Sequence, residues 1–200
     1  MKTLPKKHLP LALFAIALTS LFTIQPAEAY TVTLEQMGSN VVATGSGAIN
    51  LTGLTFKSHG LFFNPRIQAD VGNIITGPTG GMGDVDLYSG FTGPTSFGSR
   101  GFFSPNTGSG DTVGNVAGLD VPHGYVSGQA LSDSMTFNNE TFASLGVTPG
   151  TYVWSWGSGL PNQNFTLIIG RAGVPDGGST VSLLGCALLG LAALRRKLSC

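Results

Sequence analysis

The chain has 200 residues, with ten Lys and Arg, ten Asp and Glu, 30 glycines and only 10% charged residues. Glycine is at about twice its usual share and charge at under half, a composition that favours strands and turns over long helices. Between residues 30 and 173 only Lys57, Arg66, Arg100 and Arg171 are basic, against eight acidic residues, so this region lacks the basic footprint of a nucleic-acid binder.

In chain order, the first element is a targeting segment. Lys2, Lys6 and Lys7 precede an apolar stretch over residues 9–24, and Ala27-Glu28-Ala29 follows as a small-residue cleavage site. This pattern predicts a secretory signal peptide over residues 1–29, cut between Ala29 and Tyr30.

Residues 30–173 predict one exported β-rich domain. YTVTLEQM sets Tyr30, Val32 and Leu34 on one face, TYVWSWG sets Tyr152, Trp154 and Trp156 on one face, and NFTLIIG does the same with Phe165, Leu167 and Ile169. Alternation with period two is the signature of strands with one buried face. Segments such as ITGPTGGMGD, FTGPTSFGSRG and SPNTGSGD supply turn chemistry between them. Only TFASLG, residues 141–146, suits a helix, and then for a single turn. The expected class is all-β, an antiparallel β-sandwich or jelly-roll-like domain. TGPT occurs at 76–79 and again at 92–95, and two copies do not make a repeat architecture.

Within that domain the candidates for chemistry are few. His59 and His123 are its only histidines and accompany no nucleophile, zinc or phosphate-binding motif, so they read as surface or structural residues and the chain as a non-enzyme. Asp84 and Asp86, in GGMGDVDLY, share a face if the segment is extended. That places them too close together to flank a glycosidic bond. With backbone carbonyls, and with Asp111 from another loop, they form a candidate calcium site; the competing reading is a turn in which Asp accepts backbone hydrogen bonds. Tyr152, Trp154 and Trp156 are candidates for glycan contact if their face is outward, and core residues if it is inward. Phe62-Phe63 and Phe102-Phe103 must each point to both faces of any strand. Cys186 and Cys200 both lie beyond residue 173, so no disulfide joins the domain, and no cofactor is implied.

The last element, residues 174–200, opens with VPDGGST. Val174-Pro175 favours extended backbone, and Gly177-Gly178-Ser179 keeps the chain thin enough for a protease cleft. Fourteen uncharged residues follow, from 181 to 194, covering roughly 21 Å as a helix. Residues 178–180 and snorkelling of Arg195, Arg196 and Lys197 bring this close to the ~30 Å of a bilayer core. The expectation is a transmembrane helix over 178–194, with the basic residues 195–197 held on the cytoplasmic side.

VPDGGST, the apolar run and RRK together resemble the C-terminal sorting signal of PEP-CTERM proteins, in the variant with a VPDSG- or VPDGG-type motif. The stretches YTVTLEQMGSNVVATGSGAINLTGL, YSGFTGPTSFGS, YVSGQALSDSMTFNNETFASLGVTPGTYVWSWG and FTLIIG resemble a group found in front of such tails. The resemblance implies export by Gram-negative bacteria that make exopolysaccharide. It implies transient anchoring in the membrane, cutting near the motif by a membrane-embedded exosortase, and a destination at the cell surface or extracellular matrix. For the domain itself the expected role is structural or interaction; a carbohydrate-binding module for exopolysaccharide, through Tyr152, Trp154 and Trp156, is the alternative, and a glycan hydrolase using Asp84 and Asp86 the third reading.

Overall fold

The computed structural model describes residues 28–81 and 83–170. The expected signal segment up to residue 27 and the whole of 174–200, with the expected helix 178–194, lie outside the described residues. No helix among the described residues is long and apolar enough to cross a membrane.

The described chain is almost entirely strand. In chain order the strands are β1 (Thr31–Met37), β2 (Asn40–Ala48), β3 (Thr55–Phe63), β4 (Arg66–Gln68), β5 (Asn73–Thr76), β6 (Gly83–Ser89), β7 (Phe102–Phe103), β8 (Thr107–Gly110), β9 (Val113–Gly114), β10 (Leu119–Pro122), β11 (Ala130–Phe137), β12 (Gly150–Ser155) and β13 (Asn164–Ile169). A single α-helical turn, α1 (Phe142–Leu145), falls where TFASLG places it. Thr141 caps it, accepting from the Ser144 N–H at 3.0 Å, and Gly146 ends it in the left-handed conformation.

Two sheets form, one in the order β12-β13-β1-β2-β11-β8 and the other in the order β3-β6-β10-β9-β5-β4-β7. They share one hydrophobic core. From the first sheet come Tyr30, Val32, Leu34, Val41, Met135, Phe165 and Leu167; from the second come Ile67, Ile74, Val113, Leu119 and Val121. The period-two alternation read from YTVTLEQM and NFTLIIG is the pattern that buries these residues.

One expectation needs correction. The sheets are not wholly antiparallel, because β1 and β13 run side by side in the same direction, from Thr31 opposite Thr166 to Leu34 opposite Ile169. First and last strands are therefore neighbours, and Gly170 N–H adds a bond to Leu34 C=O at 3.0 Å. A parallel pair needs a long crossover rather than a hairpin. Here nearly the whole domain is that crossover, which no local turn signal reveals.

A polar pin joins the sheets. Tyr30 Oη donates to Asp133 Oδ2 at 2.5 Å and lies 3.1 Å from Thr76 Oγ1, which donates to Val113 C=O at 3.0 Å. Gly45 makes room for the pin, since a Cβ there would collide with the Tyr30 hydroxyl and the Asp133 carboxyl.

Candidate functional site

The aromatic row of β12 faces inward. Trp154 and Trp156 are 3% and 6% exposed. Trp154 packs edge-on against Phe165, with ring centroids 5.5 Å apart, and against Phe97 at 6.4 Å. Each indole N–H is spent on a backbone carbonyl, Trp154 on Pro94 at 3.0 Å and Trp156 on Asn50 at 2.7 Å. Tyr152 is half-buried, beside Phe97, and donates to Thr148 C=O. This is the core reading of the row, and it removes both indole faces from any surface on which a sugar ring could stack.

Two cavities of about 520 and 400 Å³ meet at Thr92, beside these tryptophans. Two amide side chains in their walls are already committed. Gln163 Oε1 accepts from Ser158 and Leu160 N–H and its amide donates to Thr52 C=O, while Asn115 accepts from Ile74 N–H and donates to Gly72 C=O. These two amides hold loops together at the cavity walls.

The two histidines are different, because folding brings them together. β6 alternates so that Asp84, Asp86 and Tyr88 share one face. The register continues that face onto Leu119 and Val121 of β10 and onto Phe56 of β3. Leu119 and Val121 lie in the core, whereas Phe56, on the edge strand, is 48% exposed. The core face of the second sheet thus runs out to solvent at β3. There β3 shifts register twice against β6, between Phe56 and Ser58 and between Ser58 and Leu61. Bulges re-aim side chains, and Gly60 supplies a positive φ of 71° within the second. His59, also in that irregularity, has its ring 6.5 Å from Phe56 and 5.7 Å from His123.

His123 arrives from β10. Its N–H bonds Asp84 C=O, and its Nδ1 lies 2.8 Å from Asp86 Oδ1. Gly124 N–H gives Asp86 Oδ2 a second bond at 3.0 Å. Burial works to raise the Asp86 pKa, but these two bonds together with the charges of His123 and His59 outweigh it and hold the carboxyl below its usual range. The same bond, with the Asp86 charge, raises the pKa of His123. The side chain of His123 is 54% exposed against 11% for Asp86, so the carboxylate is the fixed partner and the imidazole its presented edge. Tyr88 closes the cluster, its ring edge-on to Phe56 at 5.5 Å.

The calcium reading of Asp84 and Asp86 does not gain support from this geometry. Asp86 has its oxygens on His123 and Gly124, Asp111 accepts from Ser132 N–H, and no three His, Cys, Asp or Glu among the described residues sit together as metal ligands. Of the predicted processing residues, Ala29 pairs with Ala48 and Tyr30 is fully buried, whereas Ala27, residues 174–179 and Arg195, Arg196 and Lys197 lie outside the described residues.

The described residues end at Gly170, and the sequence after it has a recognisable character: residues 173–198 match the family model of the VPDSG-CTERM motif. The tail carries a VPDSG-CTERM motif. This is a PEP-CTERM-type sorting signal variant, in which Gly177 stands where the name has serine. The VPDSG-CTERM match begins three residues after Gly170 in the sequence. No curated protein and no solved structure matches the chain.

Proposed function

We propose that this is an exported protein delivered to the cell surface or extracellular matrix by its C-terminal sorting tail, where the two-sheet domain serves a structural or interaction role. The VPDSG-CTERM motif at 173–198 is the observation that carries this reading. The tail holds the chain in the membrane until an exosortase cuts near residues 174–179, and the basic residues 195–197 set its topology. The signal segment 1–29, with Ala27 and Ala29 before the cut at Tyr30, starts the export route.

Our reading of the domain is a binding role, on the half-exposed Phe56 and the His59 and His123 rings beside it. The His123–Asp86 pair presents the imidazole edge at the surface, with the carboxylate as its fixed partner. Carbohydrate binding is the more specific form of the interaction reading, and its support has moved from the tryptophan row to the exposed face around Phe56.

Substituting alanine at Val174, Pro175 and Asp176 together tests the sorting reading. The natural chain is expected in the surface or medium fraction without its tail, and the variant in the inner membrane with its tail intact. Identical fractionation and identical mass of the two chains would refute it.

A further inference from the structure

We propose that the face formed by Phe56, His59, Tyr88, Asp86 and His123 is a binding site for a neutral saccharide. The proposal rests on the interaction reading above and names its ligand class. A ligand for this face must meet two demands at once. It must lay an apolar surface on the half-exposed Phe56 ring, which otherwise leaves a large hydrophobic side chain in water. It must also exchange hydrogen bonds with a mixed set of donors and acceptors: the Nε2 edge of His123, which accepts from a neutral ring and donates from a protonated one, the ring nitrogens of His59, and the Tyr88 hydroxyl, which does both. Hydrogen bonds to these atoms are absent among the described residues apart from the His123 Nδ1 bond to Asp86. A pyranose ring offers both, a C–H face and a rim of hydroxyls.

Charge narrows the choice further. Asp86 is offset by its bond to His123, which leaves Asp84 as the acidic group beside the face that works against anionic ligands. The Asp86 oxygens are already bonded by His123 and Gly124, so they are poor ligands for a cation. Asp86 instead fixes the His123 ring, leaving Nε2 outward. The site is thus preorganised: the bulged edge of β3 carries Phe56 and His59, and rigid pairing of β6 with β10 carries the other three.

The test uses the full chain in detergent micelles with 15N-labelled histidine, read by NMR. It is titrated with maltohexaose, cellohexaose, xylohexaose, mannohexaose and, as the charged arm, oligogalacturonate. Saturable shifts of both His59 and His123 with at least one neutral oligosaccharide are expected. Phe56→Ala should weaken that binding roughly tenfold, the effect of one lost aromatic contact. Phe102→Ala removes another exposed phenylalanine, one whose partner Gln68 lies on β4 away from the cluster, and should leave the binding unchanged. No saturable shift with any neutral member overturns the proposal, as does binding of oligogalacturonate alone or binding undiminished by Phe56→Ala. Failure here is separable from failure of the sorting reading: a chain that binds no saccharide but is still exported and trimmed loses only the site, and a chain that binds saccharide but keeps its tail in native cells loses only the sorting.

Discussion

Asp133 shows how much one buried residue contributes. It lies between the sheets with Oδ1 unpartnered, and burial pushes its pKa up to about 6 despite the bond from Tyr30. When ionised, it accepts the hydrogen bond of the Tyr30 hydroxyl, and the Thr76 hydroxyl donates to Val113 C=O, so the Tyr30–Thr76 contact has no hydrogen left. When protonated, the carboxyl can donate to Tyr30, Tyr30 to Thr76 and Thr76 to Val113, and every donor is used. Asp120 is similar, pushed up to about 6 by burial although Val116 N–H bonds it. Both pKa values lie above the ordinary 3.8, so the folded state holds these protons more tightly than the unfolded one. Stability is therefore greatest below the unfolded value and is lost as pH rises from about 4 through about 6, by roughly 3 kcal/mol per site. Asp86, held below its usual range, works the other way and loses its contribution only in stronger acid. The expected outcome is a higher urea midpoint at pH 5 than at pH 8, with a flatter slope in Asp133→Asn; a midpoint that rises over this interval would contradict the assignment. Gly45→Ala places a methyl against the same Tyr30 and Asp133 and should cost about 1–3 kcal/mol by overpacking. Trp154→Ala, at an indole packed on Phe97 and Phe165, should cost about 3–5 kcal/mol in the same denaturation measurement.

At the scale of elements, the capped turn α1 gives a local check. Thr141 and Ser144 satisfy each other's backbone N–H groups, and Thr141→Ala should remove about 1 kcal/mol of stability. The element was legible in TFASLG because its cap, its turn and its terminal glycine are consecutive. The inward faces of β1 and β13 were legible for the same reason, since Tyr30, Val32 and Leu34 alternate within one short window. The parallel pairing of those strands was not, because it joins residues from opposite ends of the domain. The histidine cluster was hidden in the same way: His123 and Asp86 are 37 residues apart, and only the register of β6 against β10 and the bulge in β3 bring His59 to them. The junction between β13 and the tail makes a kinetic prediction. Since the VPDSG-CTERM match starts three residues after Gly170, inserting six Gly and Ser residues after Gly170 should speed tail removal in pulse–chase experiments. Unchanged or slower removal would show that the folded domain does not hinder the protease.

For the whole molecule, the sorting motif is legible in the sequence and the proposed binding face only in the fold. The sorting signal is local, an ordered succession of motif, apolar run and basic cluster, so it could be read directly. The all-β class was also legible, from glycine-rich turns and alternation, and the structure adds that the two sheets share one core pinned by Tyr30, Asp133 and Thr76. Composition gave no ligand, because the aromatic residues most conspicuous in the sequence, Trp154 and Trp156, are the ones folding hides. The central claim is that the chain is exported and its tail removed. The most direct measurement is the intact mass and terminal sequence of the protein from native cells and from cells lacking the exosortase. The account predicts a start at Tyr30 and an end between Val174 and Ser179 in native cells, with Cys200 retained when the exosortase is missing; Cys200 retained in both would contradict it.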